Sequence, residues 1–231
     1  MLMKSFLIPT IVLSLILVSS ADHGMFSYEE RGPENWSKLD KKYELCGKGE
    51  RQSPINFDTN TDKASVAPPD VHNIKNVQNG KMETGHTVKL IPHQSENGSI
   101  FFDSARYDFQ EVHFHTPSEH HINGMHTDLE AHFVFSNTNA KTKTVIGVLY
   151  EVSPDGSSFI ESIILKIKNL PKNVSDNVDI NSVFSLINKE AGPNWAYKYL
   201  GSLTTPPCDE NVIWWVTTVL LLHIFQSAHL S

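Results

Sequence analysis

The sequence predicts a mainly β protein of one domain, with a few short helices at its periphery. Three observations carry this. Six stretches read as strands. One long stretch has convincing helical spacing. The 231 residues contain no internal repeat and no low-complexity linker, a length that one core can serve.

Met1 to Ala21 reads as a secretory signal. Lys4 supplies the charged start, Phe6 to Val18 the apolar run, and Ser19-Ser20-Ala21 the small residues for cleavage. An uncleaved anchor is the alternative, but the run is short against the roughly 20 residues a span needs. Residues 26–60 are rich in turn formers and irregular. Thr87–Ile91, Ser99–Phe102, Gln110–His115, Leu129–Phe135, Thr144–Glu151 and Val212–Val216 follow as strands, alternating or rich in Val, Ile and Phe. A helix is expected over Ser158–Leu170, where Phe159, Ile163, Ile164, Ile167 and Leu170 recur at helical spacing and Pro171 stops it. A shorter helix is expected near Ser182–Asn188. The domain spans 22–216, and 217–231 reads as a divergent apolar tail.

A net charge of −7 and the absence of a basic stripe argue against nucleic acid as a partner. In a secreted chain the two cysteines, Cys46 and Cys208, pair; two free buried thiols are the alternative. Asn35-Trp-Ser, Asn97-Gly-Ser and Asn173-Val-Ser are glycosylation acceptors that fit a secreted surface.

The chemistry concentrates in His113-Phe114-His115 and in His132. Successive strand residues point to opposite faces, so His113 and His115 project together. On the next strand Glu130, His132 and Val134 share a face. Turn residues between the two make them neighbours, so three imidazoles can converge. Three His and an open position is the coordination of a catalytic zinc. With twelve histidines in the chain, an accidental His-x-His pair is the competing reading. Gln110 and Glu130 are candidates to accept the far N–H of a ligating His, which fixes its tautomer.

The chain resembles the α-class carbonic anhydrases. The segments that carry the likeness are Gly32-Pro-Glu-Asn-Trp36, Gly49-Glu-Arg-Gln-Ser-Pro-Ile-Asn56, Gly85-His86, Gln110-Glu-Val-His-Phe-His115, Ser118-Glu119-His120, Glu130-Ala-His132 and Tyr199-Leu-Gly-Ser-Leu-Thr-Thr-Pro-Pro207. The resemblance implies a large twisted, mostly antiparallel central sheet, zinc as cofactor, and reversible hydration of carbon dioxide to bicarbonate and a proton. It implies that His113, His115 and His132 hold the zinc. Thr204 matches the threonine that accepts a hydrogen bond from zinc-bound hydroxide, Glu119 the carboxylate that orients it, and Thr205 lies beside it. His86 matches the proton shuttle, and Tyr28 the tyrosine of the hydrophilic wall that orders the relay waters. Val134, Val145, Leu203, Val212 and Trp214 match the apolar wall that receives carbon dioxide. Lys89 stands where relatives often carry an uncharged polar residue, and is expected to act on His86. Ser53-Pro54 and Pro206-Pro207 match positions of cis peptide bonds.

The likeness stops after Trp214-Trp215-Val216. Relatives continue with further strands that this chain replaces by the tail. The expectation is an exposed strand edge and a poorly oriented His115, whose supporting carbonyl lies in that region of relatives. His223 and His229 in the tail are incidental. A membrane or lipid-anchor tail lacks the polar spacer it would need. The protein is expected to be a secreted monomer acting on a small molecule. The alternatives are a non-catalytic binding or matrix protein on the same scaffold, and a shortened product that is inactive or unstable.

Overall fold

The computed structural model describes residues 26–64, 66–69, 71, 79–84, 86–93, 98–153, 155–156, 176–179, 196–217 and 220–225. The signal segment, both expected helices, Asn97, Asn173 and His229 lie outside them. The N-terminal stretch forms two single-turn 3-10 helices, Pro33–Asn35 and Lys41–Tyr43, and two one-turn α-helices, α1 (Trp36–Leu39) and α2 (Leu45–Lys48). Everything else described with regular structure is strand. In chain order these are β1 (Asn56–Phe57), β2 (Asn79–Thr84), β3 (Val88–Pro92), β4 (Ser99–Phe102), β5 (Ala105–His115), β6 (His121–Ile122), β7 (Met125–His126), β8 (Leu129–Asn137), β9 (Thr142–Ser153), β10 (Asp155–Gly156), β11 (Asp176–Asp179), β12 (Ala196–Ser202), β13 (Glu210–Thr217) and β14 (Leu220–Phe225). The six expected strands are all present, most of them longer than their patterns indicated.

Eleven strands form one mixed sheet with the path β10-β14-β9-β8-β5-β3-β2-β11; β4 joins β5, and β13 bridges β12 and β9. Among the described pairings in this sheet, only β13 and β14 run parallel to their neighbour, β9. A small sheet of β1, β6 and β7 lies apart.

The edge expected to be open is occupied. Val212–Val216 pair with Lys143–Gly147, and further along β9 Leu220–His223 pair with Tyr150–Ser153. By joining the ladder the apolar run pairs its backbone groups and those of the strand beside it. The segment read as a divergent tail therefore supplies β14. No helix among the described residues is long and apolar enough to cross a membrane.

The sheet separates two cores. One face buries Leu90, Val112, Phe114, Ala131, Phe133, Phe135, Ile146 and Val148. The other buries Val134, Val145, Leu149, Val212, Trp214 and Val216, and carries the polar side chains described next. Cys46 and Cys208 are disulfide-bonded across 162 residues, tying α2 to the segment after Thr204. Ser53-Pro54 and Pro206-Pro207 are cis as expected, and so is Thr116-Pro117.

Candidate metal centre

The pairing of β5 with β8 sets His113 directly opposite His132. His115, two residues on, shares their face. One nitrogen from each of the three lies within 4.8 Å of the others. His132 Nδ1 is 3.2 Å from His113 Nε2. His115 Nε2 is buried with no hydrogen-bond partner. A buried imidazole nitrogen left unpaired beside two others is the donor set of a metal site. Burial, with the neighbouring histidines, holds His115 well below the usual imidazole range. Burial likewise takes His132 down to about 4, against the pull of Glu130. Both rings are therefore neutral at pH 7, the form that ligates.

Behind the ligands the polar atoms are directed. Glu130 is fully buried, and its Oε1 accepts from His132 Nε2 at 2.8 Å and from His120 Nδ1 at 2.7 Å. That leaves the lone pair of His132 on Nδ1, facing the cluster. Glu130 Oε2 accepts from the backbone N–H of Glu119 and of His120, both at 2.8 Å. Burial opposes the charge of Glu130, but the two histidines outweigh it and hold the carboxyl well below its ordinary range. His120 Nε2 must then accept from Tyr199 O–H at 2.6 Å, and Tyr199 in turn from Ser53 O–H at 2.7 Å. Gly147 lies opposite His132 on β9. A Cβ there would stand 3.0 Å from Glu130 Oε1, so the missing side chain is the room the carboxylate uses.

His113 is supported by Glu111, whose Oε1 lies 3.0 Å from Nδ1. Glu111 also meets Lys89 Nζ at 3.1 Å. Burial raises its pKa, but the hydrogen bond and charge of His113, then Lys89, bring it down to about 2. Gln110 does not take this position: its amide donates to the Asp108 carbonyl at 3.0 Å. The register of β5 on β8 slips between Phe109 and Glu111, so Gln110 is the extra residue of a bulge. Lys89 makes its ion pair with Glu111 and lines the same cavity as His86.

Burial pushes Glu119 up to about 8, offset in part by Thr204 beside it. Tyr28 O–H reaches Glu119 Oε1 at 3.3 Å. Glu119 Oε2 is buried and unpaired, 3.4 Å from His115 Nε2. These groups open on a cavity of about 580 Å³. Val134, Val145, Leu203 and Trp214 form its apolar side, with Thr204 and Thr205 beside them. Val212 packs behind this wall in the same core. At the other side His86 stacks on Phe26, ring centroids 4.4 Å apart.

A sequence profile of the family described as eukaryotic-type carbonic anhydrase matches residues 31–224. The chain belongs to this family. It is 33% identical over 210 residues to alpha carbonic anhydrase 2 of Arabidopsis thaliana, covering 87% of this chain and 83% of that one. It superimposes on the alpha carbonic anhydrase of Thermovibrio ammonificans, solved with the inhibitor sulfanilamide, with a TM-score of 0.73, 31% identity and coverage of 87% and 86%. It also resembles a dioscorin solved with ascorbate, with a TM-score of 0.66, 29% identity and coverage of 87% and 84%.

The carbonic anhydrase match runs into β14, past the point where the sequence motifs stop. His115 keeps its place in the cluster, with its ring 4.7 Å from that of His132. Three functional neighbours escaped the sequence reading. Glu111 had a signal, since a residue two before His113 on a strand shares its face. His120 and Tyr199 stand in the family motifs, but no local pattern gave their roles, because their contacts join residues 10 and 79 apart in the chain.

Proposed function

We propose that this carbonic anhydrase family member is a secreted zinc enzyme that interconverts carbon dioxide and water with bicarbonate and a proton. The observation that carries the reading is the convergence of His113, His115 and His132 on one point beside Thr204 and an apolar wall. The residues fit zinc: three convergent imidazoles, one with a buried and unpaired nitrogen, with His132 and His113 each backed by a carboxylate. When bound, zinc supplies Lewis-acid chemistry that makes water nucleophilic near neutral pH.

The chain's own residues then have separable tasks. Thr204 donates to Glu119, so its oxygen can only accept from the attacking water, and this aims a water lone pair at the substrate. Val134, Val145, Leu203 and Trp214 present a dry surface to carbon dioxide, which has no dipole to satisfy. The proton released must leave the cavity. His86, an imidazole at the cavity rim, is suited to relay it to buffer, and Tyr28 lines its path. Thr205 lies beside the departing bicarbonate. Cys46–Cys208, the apolar start of the chain and the acceptor sites at Asn35, Asn97 and Asn173 support secretion.

The test is stopped-flow carbon dioxide hydration by the mature protein, with zinc content measured alongside, beside His113→Ala. Zinc-dependent turnover lost in the variant supports the enzyme; turnover equal to that of the variant overturns it. A second reading, a binding protein on the same scaffold, is favoured by the likeness to a dioscorin solved with ascorbate. It predicts saturable ascorbate binding without hydration activity.

A further inference from the structure

A second pair of ligand-type nitrogens meets outside the carbonic anhydrase site. β6 and β7 form a hairpin that sets His121 opposite His126. The turn between them uses Asn123 and Gly124 at positive φ, 52° and 77°. The two Nε2 atoms lie 3.1 Å apart, with the rings perpendicular and their centroids 4.0 Å apart.

His126 is oriented from behind. Its Nδ1 lies 2.6 Å from the Ser118 carbonyl oxygen. A carbonyl only accepts, so Nδ1 carries the proton and Nε2 the lone pair. Metal-ligating histidines use this same support, with the far N–H bound to a carbonyl or carboxylate. The support is itself fixed. Ser118 is 1% exposed, its hydroxyl donates to the His120 carbonyl, and that hydroxyl accepts from Thr127 N–H. On the other side the hairpin is tied down by Gly124 N–H donating to Asn56 Oδ1.

A separation of 3.1 Å is the spacing of two nitrogens on one ion. With metal–nitrogen bonds of about 2.0–2.1 Å, it corresponds to an angle at the metal of about 100°. That lies between square-planar and tetrahedral values. A slight outward swing of the His121 ring aims both lone pairs at the ion, and the open side leaves room for waters.

We propose that His121 and His126 form a surface metal site that takes divalent copper most tightly and zinc more weakly, in the order expected of imidazole ligands. The ion sits at the outer end of the Ser118–His120 turn, whose inner side holds Glu119. The site does not depend on the hydration activity. The competing account is a plain hydrogen bond from His121 Nε2–H to His126 Nε2, with no affinity for metal.

The zinc-loaded full mature chain would be titrated with Cu²⁺ and followed by electron paramagnetic resonance and metal analysis. The expected result is one copper per chain beyond zinc, with a spectrum of nitrogen coordination. His121→Gln and His126→Gln each weaken it at least tenfold, leaving zinc content and copper-free hydration unchanged. His113→Ala retains the hairpin copper. Copper that survives His126→Gln, or that is lost only with His113→Ala, overturns the proposal, as does the absence of any copper beyond the zinc.

Discussion

The two faces of the β5–β8 pair are built from alternate residues of the same two strands, yet they obey different rules. One face holds Val112, Phe114, Ala131, Phe133 and Phe135, buried in a single apolar core. The other holds Glu111, His113, His115, Glu130 and His132, with Glu130 hydrogen-bonded to His132 and Glu111 3.0 Å from His113. Apolar packing is graded: a smaller side chain leaves a smaller contact and a proportionate loss. A buried polar network is not graded, because removing one acceptor strands every donor that used it. The difference predicts that conservative substitutions are tolerated on the first face and not on the second.

The largest expected effect is at Glu130. Its two oxygens accept from four donors. Glu130→Gln keeps the shape but turns one oxygen into a donor, which must face two N–H groups. The expected loss is about 3–5 kcal/mol, the range for breaking a buried charged pair, together with a marked loss of zinc. Phe133→Leu on the opposite face should cost less, about 1–2 kcal/mol, and leave zinc content unchanged. Thermal unfolding and metal analysis of both variants decide this. Equal losses and equal zinc retention would break the comparison.

Thr204 separates chemistry from assembly. It stands beside Glu119 but is not one of the three clustered ligands. Thr204→Ala should lower carbon dioxide hydration by roughly 100-fold, the scale of losing orientation, at unchanged zinc content. Thr204→Ser should restore most of the rate. A parallel fall of zinc and rate in the alanine variant would place Thr204 with the structural network instead.

Glu111 should show an intermediate effect. Removing the carboxylate behind His113 in Glu111→Ala frees the ring to turn, and zinc affinity should fall about 10–100-fold. Competition with a chromophoric chelator measures it. An unchanged affinity would mean that β5 alone orients His113.

Much of this face was legible in the sequence. His113, His115, His132 and Glu130 followed from strand alternation, and the family motifs located Thr204, Glu119 and His86. The errors have physical causes. Gln110 lies three residues before His113, a spacing that strand alternation alone sets on the opposite face, and it is also the extra residue of a bulge. No local pattern announces a bulge; it shows only when β8 is in place to reveal the slipped register. The Ser53–Tyr199–His120–Glu130 chain joins four distant segments, so no periodicity carries it. β14 was missed because an apolar run after a strand reads alike as tail or strand until β9 is seen to need a partner.

The smallest effect, and the finest test of the comparison, is at Lys89. It lies opposite His113 in the register of β3 on β5 and reaches Glu111 from the cavity side, with 40% of its side chain exposed. An ion pair with that exposure contributes about 0–1 kcal/mol, so Lys89→Asn should barely move the unfolding temperature. Its influence should run through Glu111 instead. Without the ammonium, the carboxylate faces His113 alone and zinc should be held more tightly, by about twofold to fivefold if roughly 0.5–1 kcal/mol passes to the ligand. That gain should vanish in a Glu111→Gln background, because the neutral amide has no charge for Lys89 to offset. If the gain persists there, or if Lys89→Asn instead lowers turnover in a way that imidazole buffer restores, then Lys89 acts on His86 and the proton path. The two strand faces would then be linked to the cavity rim by a charge that the Glu111 pairing does not contain.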